Sequence, residues 1–431
     1  MKQSLRQLFL ATLGDLSLER VMPRKISCEG GVLRFGEQQI ALDPYKKVIG
    51  IAIGKAAFPM ARSFSQIISP RIVTGLAVSS EPPGALSYFV GYQGGHPYPD
   101  VQSVRAAEVA LETLSDLKPH HLVVYLLSGG GSAICEKPIS GEISLDDLRE
   151  FYRVLVTCGA DIVQMNVLRK HFSAIKGGRL AGRAFPARQV TFYVSDVPPD
   201  KPSTVASGPT MPDESTVADA REIVEQLGII ERLPAPIRSF FYDHRIPETP
   251  KPDHESFRNS SWFCLLDNRD ALTSLEQGAK GQGWVVETAT SVDDWPLQAA
   301  AGHLLAKLRA MRGAHPGRSV ALLTGGELSI PVVGVGSGGR NQAFVLDCVP
   351  KIAGENIAVV SAGTDGIDGN SPAAGAVADG ATLDRAHQLG MSPDDYTRRS
   401  DSYHFFKRLE DDVTTGRTGN NVRDLRMLVA W

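Results

Sequence analysis

Cysteine is scarce and unpaired. The five in 431 residues, Cys28, Cys135, Cys158, Cys264 and Cys348, form no C-x-x-C pair. That pattern excludes a disulfide framework and the usual zinc spacings, and it suits a reducing, cytoplasmic setting. Long basic runs are absent too. Lys and Arg number 45 against 48 Asp and Glu, a net charge of −3, so neither nucleic acid nor an anionic membrane is an expected partner. No stretch approaches the roughly 20 apolar residues that a membrane span needs. The segment from Met1 to Arg20 mixes charge with Leu and Phe at helical spacing. It lacks the uncharged apolar core of a signal peptide and reads as an amphipathic helix. What is present is ordinary, with 42% hydrophobic and 22% charged residues. The length suits a soluble protein of two or three domains.

Short apolar runs alternate with helix-like segments through most of the chain. Val48 to Ile53, Thr74 to Ser79, Leu122 to Leu127 and Gln189 to Val194 read as strands. Ala56 to Ile68, Asp100 to Leu117 (with Asp100 as N-cap), Leu145 to Gly159 and Ile162 to Phe172 read as helices. This β-α-β alternation predicts a parallel sheet with helices on both faces. Prolines 234, 236, 247, 250 and 252 lie among charged residues between about 231 and 259, the signature of a semi-rigid connector. Beyond it the alternation resumes: Trp262 to Leu266, Trp284 to Thr288, Ser319 to Leu323 and Ile357 to Ser361 read as strands, and Trp295 to Arg312 as a helix.

Glycine is the informative residue. Ser128-Gly129-Gly130-Gly131-Ser132 and Thr324-Gly325-Gly326-Glu327 each follow a buried-strand pattern, one in each half. Such turns expose successive backbone N–H groups to an anion, although a tight structural turn has the same composition. The first is not a Walker A loop, because no Gly-Lys-Ser/Thr follows it. Gly54-Lys55 sits at a strand-to-helix junction, where ligands bind in open α/β sheets. A cation there is disfavoured by the helix dipole, which favours a functional reading. Arg169, Lys170, His171, Lys176 and Arg179 could line an anion site or a solvated helix face. Asp196, just past a strand, could hold Mg²⁺, accept a hydroxyl proton or cap a turn. Arg340 follows Gly336-Ser337-Gly338-Gly339 and could clamp an anion or pair with a glutamate. The oxygen-rich run Ser361 to Asn370 suits a magnesium or polar-ligand loop, with Asp365 as a metal candidate, or an Asx turn.

Taken together, the segments IGKAA, HPYPD, LLSGGGSA, LRKHFSAIKGGRLA, SDVPPD, ASGPT, LLTGGE, GSGGRNQ, SAGTDGIDG and TGNNVRDL stand in one order from about Val48 to Leu425. In that order they resemble the glycerate 2-kinase family, whose C-terminal half is the MOFRL domain and which was earlier described as hydroxypyruvate reductase of tartrate degradation. The resemblance implies an α/β protein of two domains. The first would be an N-terminal Rossmann-like parallel-sheet domain (1–240), followed by a proline-rich linker (241–258). The second would be a smaller C-terminal α/β MOFRL domain (259–431), with the active site in the cleft between them. It implies an ATP- and Mg²⁺-dependent transfer to the C2 hydroxyl of D-glycerate, by a monomer or homodimer. It places Lys55 and Arg340 at the active site. Where the family has Gly-Pro/Arg-Thr-Gly-Thr-Asn, this chain reads Gly416-Arg417-Thr418-Gly419-Asn420-Asn421.

On this reading Lys55 lies on the phosphoryl path, and Arg340 takes the substrate carboxylate or the transferred phosphoryl. Asp196 orients Mg²⁺ or takes the C2 hydroxyl proton. Ser128, Gly129, Gly130, Gly131 and Ser132 cradle nucleotide phosphates. Lys176, Gly325, Gly326, Glu327, Gly339 and Asn341 complete the binding set. The alternative, an NAD(P)H-dependent hydroxypyruvate reductase, requires a G-x-G-x-x-G turn after a strand. Gly334-x-Gly336-x-x-Gly339 matches those letters but leads straight into Arg340.

Overall fold

The computed structural model describes residues 1–69, 73–289, 292–331 and 333–431. They form two compact units, one of residues 18–265 and one of residues 1–17 with 266–431.

The first unit opens with a small antiparallel sheet, β1 (Ile26–Glu29), β2 (Val32–Phe35) and β3 (Gln38–Ala41). Its hairpins turn at Gly30-Gly31 and Gly36-Glu37, with φ of 58°, 74° and 53° at the glycines. Two-residue hairpin loops demand such left-handed backbone. Phe35 then packs edge-on against Phe192 and Phe263, ring centroids 5.0 and 5.7 Å away.

The main sheet of this unit has β4 (Lys47–Ile53), β5 (Val73–Ser79), β6 (Phe89–Gln93), β7 (His121–Leu127), β8 (Arg188–Val194) and β9 (Ser260–Leu266), in the order β6-β5-β4-β7-β8-β9. Strands β4 to β8 pair with one another in parallel. Six consecutive residues of β4 and of β7 are buried, as expected for strands covered on both faces. Helix Val101–Thr113 lays Ala106, Ala107 and Ala110 against Ile49, Ile51, Val123 and Tyr125. Asp100 caps it as anticipated, accepting from Ser103 N–H at 2.8 Å, while Ser103 Oγ accepts from Asp100 N–H at 3.1 Å. A separate helical layer, Leu145–Thr157, Ile162–His171, Val217–Gln226 and Ala235–Tyr242, encloses Phe151, Phe172, Phe240 and Phe241.

Two sequence expectations change. Residues 231–259 are not a bare connector: helix Ala235–Tyr242, started by Pro236, buries Ile237, Phe240 and Phe241 in that aromatic core. The strand at Trp262 to Leu266 also extends the first sheet beside β8 instead of opening the second.

The second unit holds β10 (Val285–Thr288), β11 (Val320–Gly325), β12 (Ile357–Gly363), β13 (Gly375–Asp379), β14 (Asp412–Val413) and β15 (Asp424–Ala430), in the order β10-β11-β15-β12-β13-β14. Only β10 and β11 pair in parallel; the other four pairings are antiparallel. All seven residues of β15 are buried between β11 and β12. Helices Leu297–Ala314 and Arg340–Lys351 cover the sheet through Leu304, Leu308, Phe344 and Val345. Helix Lys2–Asp15 belongs to this unit, with Lys2 Nζ 2.9 Å from the Asp411 carboxylate. No helix among the described residues is long and apolar enough to cross a membrane.

The Asp100 capping box is remote in sequence from the glycine loops and exchanges two backbone-directed bonds. Asp100→Ala should therefore lower stability by about 1 kcal/mol. Urea denaturation checks this, and an unchanged midpoint would contradict it.

Candidate active site

Strand order makes the first site. From β4 the chain crosses to β5 on one side, while β7 and β8 continue on the other, so β4 and β7 flank the point where connections diverge. Open α/β sheets form their binding crevice at the carboxyl ends of such a pair. Gly54 and Ser128 are the first residues beyond β4 and β7. The two turns are laced together: Ser128 N–H donates to Ile53 O (3.0 Å), Lys55 N–H to Gly129 O (2.9 Å) and Ala56 N–H to Ser128 Oγ (3.0 Å). Gly54 has φ 122°, and a Cβ there would collide with the Ser128 backbone. Only glycine fits this approach.

The same closeness gathers the predicted side chains. The Lys55 stem lies over Gly130, where an added Cβ would sit 3.1 Å from Lys55 Cγ and 3.3 Å from Cε. A Cβ on Gly129 would overlap the Asp196 carboxylate, delivered from the end of β8. Lys55 thus neighbours Gly130 and Asp196 neighbours Gly129 on the same loop, and Lys55 and Asp196 are half-buried. The helix that follows the loop is one turn, Gly131–Ile134, so the loop offers backbone N–H groups without a long helix dipole behind them.

Ser132 begins a polar chain. Its Oγ lies 2.7 Å from Ser207 Oγ, which donates to Asn166 Oδ1 at 3.0 Å. Ala206, Ser207 and Gly208 have φ of 51°, 60° and 61° in succession. Two of these are not glycine, and left-handed backbone costs such residues about 1–3 kcal/mol each. The Ser207 and Gly208 carbonyls accept from Gly177 and Gly178 N–H at 3.1 and 2.8 Å, which holds that turn in place.

Lys176 is elsewhere in role. It is 1% exposed and ion-paired with Glu136, and it donates to Tyr152 Oη at 2.9 Å. Ser173 Oγ and the Tyr152 hydroxyl complete the shell of Glu136. Burial pulls the Lys176 ammonium well below its usual range, and it pushes the adjacent Cys135 thiol up to about 12. This lysine therefore supports the loop from beneath. The other cations of its segment divide similarly. Lys170 pairs with buried Asp213 at 3.0 Å, His171 lies 3.1 Å from Glu248, and Arg179 donates to the Glu248 and Pro247 carbonyls. Arg169 differs. Its guanidinium lies 4.6 Å over the Tyr152 ring with no protein acceptor among the described residues, and its buried Nε, like that of Arg179, lacks a hydrogen-bond partner.

In the second unit Gly325, Gly326 and Glu327 follow β11. Gly326 N–H donates to Asn268 Oδ1 (3.1 Å) and Glu327 N–H to Asp293 Oδ1 (2.9 Å). Arg340 donates through Nε to Asp424 Oδ2 at 2.6 Å, and its Nη2 is 2.8 Å from Glu327 Oε1. Burial opposes its charge, but Asp424 and Glu327 outweigh that and hold the guanidinium above its usual range. Arg426, fully buried, pairs with Asp424 and reaches the Gly326 carbonyl. Arg423 clamps Asp293 at 2.6 and 2.7 Å. These cations and carboxylates compensate one another. Sequence reading missed Asp424, Arg426, Arg423 and Asp293; the Arg423-Asp424-x-Arg426 run in an otherwise apolar strand was the available signal.

Gly339 precedes helix Arg340–Lys351, whose first N–H groups donate to Asp368: Asn341 N–H at 3.1 Å and Gln342 N–H at 2.8 Å. Asn341 is buried, with its Oδ1 accepting from Ser361 Oγ at 2.5 Å. In a dinucleotide-binding turn the pyrophosphate occupies this helix start. Here a protein carboxylate does, and among the described residues no strand leads into Gly334 to Gly339. Asp365 is half-buried; its Oδ1 accepts from Ile367 N–H and its carbonyl from Thr418 N–H. Asn420, the departure from the family pattern, donates to Leu16 O at 2.9 Å.

The fold defines a class: an α/β protein with a glycine loop, a lysine and an aspartate at the divergence point of a parallel sheet. Comparison with known proteins narrows it. Residues 4–242 match the domain of unknown function DUF4147, and residues 320–424 match the MOFRL family. D-glycerate 2-kinase of Thermotoga maritima is 35% identical over 384 residues, covering 88% of this chain and 89% of that protein. A relative from Agrobacterium vitis bearing the name hydroxypyruvate reductase is 35% identical over 397 residues, 89% of this chain and 99% of its own. The crystal structure of the Thermotoga maritima glycerate kinase superposes with a TM-score of 0.85 at 30% identity, covering 100% of this chain and 99% of that one. The chain belongs to the glycerate 2-kinase family with a MOFRL domain.

Burial raises the Asp368 carboxyl to about 6, Asp424 adds to the rise, and the helix N–H groups and Arg340 oppose it. An acid raised on folding favours the fold below its ordinary value of 3.8 and loses that contribution as pH climbs through about 6. The stability of the native chain minus that of Asp368→Asn should therefore fall between pH 4 and pH 7, as read by urea denaturation. A constant or widening difference would contradict the assignment.

Proposed function

We propose that this protein phosphorylates D-glycerate on its C2 hydroxyl, with ATP as donor, giving 2-phosphoglycerate and ADP. The observation that carries the reading is the juxtaposition of Lys55, Gly129-Gly130 and Asp196 at the ends of β4, β7 and β8. Phosphoryl transfer asks a protein chiefly for positioning and for charge stabilisation, and this cluster offers both. The Ser128 to Ser132 loop presents N–H groups to phosphate. Lys55 follows the transferring group as a mobile point charge. Asp196 accepts the proton of the attacking hydroxyl. In the other unit, Arg340 and the Gly325 to Glu327 turn are proposed as a second anion-binding set, of the kind that stabilises phosphoryl charge. Kinship with enzymes named glycerate 2-kinase supports this acceptor and donor.

Among the described residues no three His, Cys, Asp or Glu side chains gather as a metal site. Magnesium carried on nucleotide phosphates takes only one or two protein carboxylates. Asp196 in the first unit and Asp365 in the second are separate candidates to hold it, Asp196 as the alternative to its role as proton acceptor, and when bound the ion would neutralise phosphate charge. The reductase reading has less support, since Asp368 holds the helix start that a dinucleotide would need.

An ADP-release assay with D-glycerate, L-glycerate and hydroxypyruvate tests the reaction. Turnover with D-glycerate is expected. NADH oxidation by hydroxypyruvate without ATP-dependent turnover would overturn the reading. Lys55→Ala and Arg340→Ala should each lower kcat by about 10²–10³-fold. Near-normal turnover in either variant removes that residue from its role. Gly129→Ala, which sets a methyl group against Asp196, should lower kcat while the fold persists by circular dichroism.

A further inference from the structure

The acceptor is a carboxylate, and it needs a cation whose charge is not already spent. Arg340 is poorly suited: Asp424 and Glu327 hold it, and Arg426 shares Asp424. In the first unit, four of the five cations of the segment 169–179 have protein partners. Among the described residues no carboxylate lies within ion-pairing distance of Arg169, and its buried Nε is unsatisfied. Burying an arginine donor without a partner costs free energy unless a ligand supplies one.

Its setting looks prepared for one. The Tyr152 ring lies beneath the guanidinium, its centroid 4.6 Å from Arg169 Cζ, and the Tyr152 hydroxyl is 3.4 Å from the Ser132 carbonyl of the glycine loop. A guanidinium held over an aromatic face can still hydrogen-bond through its edges, and such a fork grips a carboxylate bidentately. One helical turn before Arg169, Asn166 accepts from the Ser207 hydroxyl, which in turn meets the Ser132 hydroxyl. Ser207 is held there in a left-handed backbone that a serine rarely adopts. Strain of this kind persists only where the surroundings enforce it, and it gathers at ligand sites.

We propose that Arg169, stacked on Tyr152, binds the carboxylate of the hydroxy-acid acceptor, with the Ser132 and Ser207 hydroxyls beside it. This rests on the kinase reading above for the identity of the acceptor. It moves carboxylate recognition from Arg340 to Arg169.

Calorimetric titration without nucleotide tests it, using D-glycerate and its uncharged amide, glyceramide. The native chain should prefer D-glycerate by about 10- to 100-fold, the range of a charge-assisted hydrogen-bonded pair. Arg169→Ala should bind D-glycerate no better than glyceramide. Arg169→Lys, which keeps the charge without the fork, should retain part of the preference and guards against a folding defect in the alanine variant. In turnover, the KM for ATP should not move. A retained preference in Arg169→Ala, equal weakening of both ligands, or a loss confined to the KM for ATP would overturn the proposal. A native chain that binds D-glycerate with this preference yet shows no ATP-dependent turnover would fail the kinase reading and leave Arg169 standing.

Discussion

The lacing of β4 to β7 just past their carboxyl ends is the constraint on which the first unit depends. Ser128 bonds back to Ile53, Lys55 to Gly129, and Ala56 to the Ser128 hydroxyl. Backbones this close exclude a side chain at Gly54. The missing side chains at Gly129 and Gly130 then admit Asp196 and the Lys55 stem. Parallel pairing of β7 with β8 fixes where Asp196 emerges. Sheet register, glycine content and the chemistry at the strand ends are therefore one fact seen at three scales.

Charge is handled differently in the two units. In the second, Arg340, Arg423 and Arg426 face Asp424, Glu327 and Asp293, a network in which removing one member leaves another unpaired and buried. Such networks fix geometry more than they offer spare charge. In the first, Lys170 and Lys176 are compensated from within, while Arg169 is held against an aromatic face. An incoming anion gains most where the protein has not already neutralised its own cation.

Much of the first unit was legible because buried parallel strands and amphipathic helices leave distinct periodicities. β4, β7 and β8, the Asp100 cap and the glycine loops are written locally in the sequence. The meander β1–β3 was missed although Gly30-Gly31 and Gly36-Glu37 mark its turns; four-residue strands give little alternation to detect. Antiparallel pairing in the second sheet was not legible, since a strand buried on both faces reads the same in either direction. At the sites, Lys55, Gly129 and Asp196 could be picked from their place after strands. What Lys176, Asn341 and Arg340 do could not, because Glu136, Asp368 and Asp424 come from distant sequence. Side-chain type announces charge, and only the fold shows whether that charge is already matched.

Phosphoryl transfer to the C2 hydroxyl is decided by the phosphorus NMR spectrum of the product formed from D-glycerate and ATP. The expected product is 2-phosphoglycerate. A 3-phosphoglycerate product, or unreacted D-glycerate with ATP intact, would contradict it.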